Sequence, residues 1–126
     1  MKPPVNASDS SMSLRSVVRA ELEHAKHARR SGELDRAFAH LERAHVLGQQ
    51  LTWLHVRAHL GMLRIGWMRR DIREVAGQLS RIIAAAVFSR IWVPSGNTGG
   101  ANVPAMRRMP IADELRAILS RDGRLR

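Results

Sequence analysis

The chain contains no cysteine and no tyrosine, and aromatic residues make up only 4% of its 126 residues. The lack of cysteine excludes disulfides, zinc–thiolate sites, iron–sulfur clusters and thiol catalysis. The longest apolar run, from Ile82 to Phe88, is far shorter than the ~20 residues of a membrane-spanning helix. The N-terminal stretch MKPPVNASDSS also lacks the apolar region of a secretory signal. We therefore expect a cytoplasmic protein that has no membrane partner.

Acidic residues are scarce, since 11 Asp and Glu stand against 21 Lys and Arg and the net charge is +10. All the basic residues except Lys2 and Lys26 are arginines, and they are spread along the chain. Few aromatic side chains are available to stack on bases, and no helix-turn-helix or RNA-recognition signature is present. This pattern favours a solvated basic surface, with nonspecific binding of nucleic acid or of an acidic partner as the alternative.

The apolar periodicity predicts an all-α fold, a small helical bundle built from two antiparallel hairpins. The predicted helices cover residues 13–30 with Ser13 as N-cap, 33–47, 52–68, 71–88 and 110–119. The apolar side of the fourth helix is expected to carry Ile72, Val75, Ala76, Leu79, Ile82, Ile83 and Ala86. Residues 1–12 are expected to form a disordered tail, 13–120 one helical domain with a long ordered Gly/Pro-rich loop at 91–110, and 121–126 a basic tail.

The second and fourth helices share a spacing of small and apolar residues. Gly32 is followed by Ala37, Leu41 and Ala44, and the same spacing recurs after Arg70 with Val75, Leu79 and Ile82. The two hairpins therefore resemble tetratricopeptide-like repeats, although the second lacks the glycine. The alternative interpretation is that this spacing reflects only the antiparallel packing of helices.

The histidines are the most informative residues because of their positions on the helical faces. On the third helix, Arg57 and Arg64 mark the solvent side, and His55 and His59 lie opposite them on one buried face. His45 lies in the middle of the apolar face of the second helix, and Glu21 on that of the first. Packing of the three helices would bring the three histidines and Glu21 into one core.

Three imidazoles and a carboxylate suit a borderline divalent metal ion. Zinc or iron is the preferred ion, and nickel, cobalt or copper also fits. Glu42 is a further candidate ligand, and His24 an additional ligand or a residue that orients one. The alternative is a buried Glu–His hydrogen-bond network that fixes the register of the hairpins without a metal.

Other chemistry is signalled more weakly. A di-iron carboxylate site needs more inward-facing glutamates than the helices offer, since Glu74 is predicted on a polar face. Met106 and Met109, with Met62, suit Cu(I), but methionines at such spacing usually fill gaps in a core. The loop around residues 96–102 can form a backbone nest for an anion, with Gly96, Asn97, Thr98, Gly99, Gly100 and Asn102 as its candidate residues.

Several strings of residues together resemble a bacterial family of unknown function, domain-of-unknown-function family 3703. These strings are LERAHVLGQ (41–49), HVRAHLGML (55–63), RRDIREVAGQ (69–78), GNTGGANV (96–103) and MPI (109–111). The resemblance covers about residues 15–120. It implies a small bacterial protein whose signature includes Glu42, His45, His55, His59, Gln78 and the loop at 96–103, and it makes Gln78 a candidate outer residue of the site.

The leading functional prediction is a cytoplasmic protein that binds a divalent metal in metal handling or sensing. The site would be catalytic only if substrate or water reached an open coordination position. No substrate or reaction is indicated by the residues, so we do not expect an enzyme. The second prediction is a metal-free helical module that binds a protein partner, and the third is a nonspecific nucleic-acid binder.

Overall fold

The computed structural model describes residues 12–88, residue 99 and residues 107–124, and within these ranges it contains five helices and no strand. The helices are α1 (Leu14–Arg30), α2 (Leu34–Gly48), α3 (Thr52–Met68), α4 (Ile72–Phe88) and α5 (Asp113–Arg121). The predicted all-α fold is confirmed. The expected N-terminal tail, apart from Met12, and most of the predicted loop lie outside the described residues.

The ends of the helices follow local side-chain chemistry. Ser13 caps α1, because its hydroxyl accepts a hydrogen bond from the main-chain N–H of Ser16. The last helix begins at Asp113, three residues later than predicted from Pro110, because the backbone is still extended at Ala112. Asp113 and Glu114 then occupy its first turn, where negative charge stabilises the positive end of the helix dipole.

The two hairpin turns have the same backbone geometry. After α1, the N–H of Glu33 bonds the carbonyl of Ala28, and Gly32 has a φ of +78°. After α3, the N–H of Asp71 bonds the carbonyl of Gly66, and Arg70 adopts a φ of 56°. Both are helix ends with one residue in the left-handed region, which glycine adopts most easily. The spacing seen in the sequence thus marks equivalent turns, while the tetratricopeptide resemblance stays a prediction.

The core lies between the hairpins. α1 packs mainly on α2, α3 mainly on α4, and α2 joins the two hairpins by also packing on α3. The α5 helix covers α2 through Leu115 and Leu119. The apolar core consists mainly of Leu14, Val18, Leu22, Ala37, Leu41, Leu47, Leu54, Ala58, Met62 and Ile65. Burial of these side chains at ~25 cal/mol per Å² is the main favourable term that holds the bundle together.

The outer faces of α3 and α4 are more apolar than expected. Ile72, Leu79 and Ile83 were predicted on a buried face but are 81%, 53% and 69% exposed. The prediction was wrong because α4 packs mainly against α3 and lacks a second helix on its other side among the described residues. No helix in the described ranges is long and apolar enough to cross a membrane.

Candidate metal centre

Three buried histidines converge where α2 ends and α3 begins. His45 lies in the last turn of α2, His55 in the first turn of α3, and His59 one turn further along α3. Only residues 49–51 separate the two helices, so the short connection brings the end of one beside the start of the next. The predicted convergence of His45, His55 and His59 is therefore present in the structure. We call these three residues the inner cluster.

The rings of the inner cluster direct the same nitrogen atom toward one another. The Nε2 atom of His55 lies 2.9 Å from that of His45 and 3.2 Å from that of His59. The three side chains are only 3–6% exposed. Zn–N bonds of about 2.0–2.1 Å in a tetrahedral site place neighbouring ligand nitrogens about 3.3 Å apart. The Nε2 atoms thus need to move only slightly to bind one ion.

Gln78 of α4 determines which nitrogen of His59 carries the proton. The side-chain Nε2 of Gln78 donates to the main-chain oxygen of Gly99 (2.8 Å) and to Glu74 Oε1 (2.6 Å). Its Oε1 atom must therefore be the group 2.6 Å from His59 Nδ1, which donates a hydrogen bond to it. A neutral His59 then has its lone pair on Nε2, directed into the inner cluster. The family resemblance had made Gln78 a candidate outer residue, and this is where the structure places it.

Neither position of the single proton on a neutral His55 satisfies every contact of this ring. Its buried Nδ1 atom makes no hydrogen bond of regular geometry among the described residues, although the main chain of Gln49 offers the ring a weaker one. With the proton on Nε2, that interaction with Gln49 is lost; with the proton on Nδ1, the Nε2 lone pairs of His55 and His59 face each other at 3.2 Å. A cation between the Nε2 atoms removes this conflict, so the residues fit a metal ion.

Burial keeps two of the histidines neutral. Desolvation, with the nearby His59, lowers the pKa of His55 to about 3, although the main chain of Gln49 opposes the shift. Desolvation also lowers the pKa of His59 to about 4, against the hydrogen bond to Gln78 and with the Arg81 charge adding to the decrease. Neutral imidazole is the form that binds metal, so neither ring has to lose a proton near pH 7.

Gly99 covers the inner cluster from the loop side. A Cβ atom at this position would lie 2.7 Å from Cδ2 of the His45 ring, and the φ of Gly99 is +86°. Its carbonyl oxygen accepts from Gln78 and, at 3.2 Å, from Nη1 of Arg81. Gly99 was predicted in an anion-binding loop, whose other candidate residues, 96–98, 100 and 102, lie outside the described residues. Here the backbone of Gly99 packs on the ring of His45, and its carbonyl is bonded by two side chains of α4.

Glu21 was predicted to join the three histidines, but the structure places it in a different cluster. Its carboxylate accepts from Nε of Arg43 (3.0 Å) and from Nδ1 of His40 (2.7 Å), and His24 lies beside them. The reason is geometric: Glu21 faces the middle of α2, whereas His45 lies more than one helical turn further along and faces α3. Glu42 is partly buried and belongs to neither cluster.

Four residues around these sites were not assigned to them from the sequence. His40 and Arg43 were missed because their partner, Glu21, was expected to face the three histidines. Glu74 was predicted on a polar face of the fourth helix and Arg81 was not singled out as a site residue, yet both are partly buried. Glu74 contacts Gln78, and Arg81 contacts Gly99. The available signal was the spacing of the polar residues Glu74, Gln78 and Arg81, which are four and three residues apart and therefore share a helical face.

Comparison with known proteins identifies a family for this chain but indicates no activity or mechanism. A family model described as a protein of unknown function, DUF3703, matches residues 12–119. No curated protein and no solved structure matches the chain.

Proposed function

We propose that this protein, which belongs to the DUF3703 family of unknown function, binds one divalent transition-metal ion through His45, His55 and His59 and acts in metal handling or sensing in the cytoplasm. The observation that carries the proposal is the set of three buried Nε2 atoms directed at one point, with separations of 2.9 and 3.2 Å. Imidazole nitrogens without thiolates suit zinc, and also iron, cobalt or nickel.

The surroundings of the inner cluster support a structural or storage site better than an enzyme. The ring of His45 packs against Gly99, and an outer hydrogen bond from His59 to Gln78 orients one ligand. Outer partners of this kind commonly contribute a factor of roughly 10–100 to metal affinity. The nearby Arg81 guanidinium opposes a cation. Burial lowers the pKa of Arg81, while the negative charge of Glu74 opposes that shift and offsets part of the repulsion.

The competing interpretation is a polar network that holds the hairpins together without metal. It explains why His59 and Gln78 are buried and hydrogen-bonded, but it either gives up the interaction of His55 with the Gln49 main chain or leaves the Nε2 lone pairs of His55 and His59 facing each other. An unpaired buried polar group costs about 1–3 kcal/mol. A bound ion accounts for all three rings at once, and for that reason we favour the metal site.

The first test is calorimetric titration of Zn²⁺ into protein from which metal has been removed. We expect one tightly bound equivalent in the parent protein, and its loss in the His55→Ala/His59→Ala double variant. His27→Ala is the matched control, because His27 is an exposed histidine on α1 outside both clusters. Equal tight binding by the parent and the double variant, or no tight binding by the parent, would contradict the proposal.

A second candidate function is recognition of a protein partner by the exposed face of the α3–α4 hairpin. Trp53, Leu60 and Trp67 are 69%, 43% and 75% exposed and lie seven residues apart on one face of α3. The exposed Arg57 and Arg64 alternate with them. Tryptophan and arginine are enriched at energetically important interface positions. The arginines and the net charge of +10 disfavour a second copy of this chain, so we infer an acidic amphipathic helix as the partner.

Tryptophan emission tests this second function directly. A synthetic helix with leucines on one face and glutamates on the other should shift the emission to shorter wavelength in the parent protein. The shift should weaken with salt and disappear in the Trp53→Ala/Trp67→Ala variant. No shift would exclude this surface as a docking site for acidic helices, and a shift produced only by DNA would favour the nucleic-acid alternative.

A further inference from the structure

A second cluster of metal-binding side chains lies outside the inner cluster, between α1 and α2. It contains Glu21 and His24, one turn apart on α1, and His40 on α2. One candidate ligand atom from each lies within 4.8 Å of the others. The rings of His24 and His40 are 5.2 Å apart between centroids. We call these three residues the outer cluster.

We propose that the outer cluster is a second divalent-metal site, with Glu21 Oε2, His40 Nδ1 and one ring nitrogen of His24 as its ligands. Two histidines and one carboxylate form a common ligand set for Zn²⁺ and related ions, with water in the remaining positions. The two sites share no residue, so this proposal does not depend on the function of the inner cluster.

Arg43 holds the carboxylate of Glu21 in the orientation that the outer cluster requires. Its Nε donates to Oε1 at 3.0 Å, and its Nη1 donates to Glu114 of α5. Oε2 is thereby directed at His40, 2.7 Å away. Burial alone would raise the pKa of Glu21, but the hydrogen bonds from His40 and Arg43 outweigh it and lower the pKa. The carboxylate is therefore ionised near pH 7, the form that a metal binds.

The outer cluster differs from the inner one in access and charge. His24 is exposed and His40 is 23% exposed, whereas all three inner histidines are buried. An ion must displace the hydrogen bond between His40 and Glu21. The positively charged Arg43 also lies beside the other carboxylate oxygen of Glu21 and repels a cation. Both effects reduce affinity, while the exposed position of His24 gives an ion access from solvent. The outer cluster should therefore bind more weakly than the inner one and exchange its metal more readily.

Cobalt(II) is the probe for this site, because its visible absorption reports the ligand geometry. In the His55→Ala/His59→Ala background we expect one equivalent of Co²⁺ to bind with the spectrum of four or five ligands. Adding His24→Ala/His40→Ala should remove that binding, whereas adding His27→Ala, one turn from His24 on the same helix, should leave it unchanged. The same spectrum and affinity without His24 and His40, or no Co²⁺ binding in the background variant, would overturn the proposal.

A second measurement avoids dependence on the folding of the background variant. Parent protein is first loaded with one equivalent of Zn²⁺, and further Zn²⁺ is added while the histidine ring signals are followed by NMR. Signals of His24 and His40 should shift during the second equivalent, with those of His27 unchanged. Shifts confined to the first equivalent would overturn the outer site and leave the inner one intact. If the signals of His24 and His40 shift and those of the inner cluster do not, the outer site is supported and the inner site is contradicted.

Discussion

Replacing His59 with alanine is expected to abolish the stabilisation that the first, tightly bound metal ion gives to this protein. A ligand present at roughly 100 times its dissociation constant raises the free energy of unfolding by about 2.7 kcal/mol. His59 supplies one of the three converging nitrogens, so its loss leaves two imidazoles, too few to hold the ion in a buried site. Thermal unfolding of parent and variant, each with Zn²⁺ and with chelator, measures the metal-dependent difference directly.

The destabilisation by His59→Ala, measured with and without Zn²⁺, distinguishes a metal site from a metal-free polar network. Without metal, His59→Ala should cost about 1–3 kcal/mol in either case, because Oε1 of Gln78 loses its buried donor. A polar network predicts that this cost is the same with and without Zn²⁺, which is the result that would refute the metal site. Arg57→Ala, an exposed change on the same helix, should keep the full metal response and alter stability by less than about 0.5 kcal/mol.

The helices were predictable because their signals are local. Ser13 as a cap, the break at Gly32 and the apolar spacing of α1 to α3 depend only on neighbouring residues, and the predicted ends agree closely with the observed ones. Burial on α4 was not predictable in the same way. Ile72 and Leu79 form an apolar stripe, yet whether such a stripe is covered depends on how many helices pack around it. The sequence pattern of α4 does not show how many helices will pack against it.

In the inner and outer clusters, too, features that depend on neighbouring residues were predictable and features that depend on packing between helices were not. His55 and His59 share one face because they are four residues apart, and His45 reaches them across a connection of three residues. Glu21 was assigned to the wrong cluster because its direction depends on the register of α1 against α2. A helical wheel gives the face of a residue but not its height along the partner helix, and the height decides that Glu21 meets His40 and Arg43.

The metal-free protein is expected to lose much of its stability between neutral and mildly acidic pH. In the folded state the pKa of His55 is lowered to about 3 and that of His59 to about 4, whereas in the unfolded chain both are near 6.5. The unfolded state therefore binds protons that the folded state does not. The contribution of these histidines is complete above about pH 6.5 and declines as the pH falls, by about 4 kcal/mol in total between about pH 7 and about pH 5.

Urea unfolding of metal-free protein across this range measures the slope, and variants assign it to residues. The His55→Leu/His59→Leu variant, which keeps apolar bulk in the core, should lose most of the slope, and His27→Ala should retain it.

Glu21, whose pKa is lowered, contributes stability that disappears only in more acidic solution. Protons and a divalent ion compete for the same Nε2 lone pairs, so one equivalent of Zn²⁺ should move the onset of acid unfolding to lower pH in the parent and have much less effect in the leucine variant, which keeps only the weaker outer cluster. A flat profile in the metal-free parent would mean that the rings reach solvent, and the inner cluster would then not be the dry, preorganised site on which tight metal binding depends.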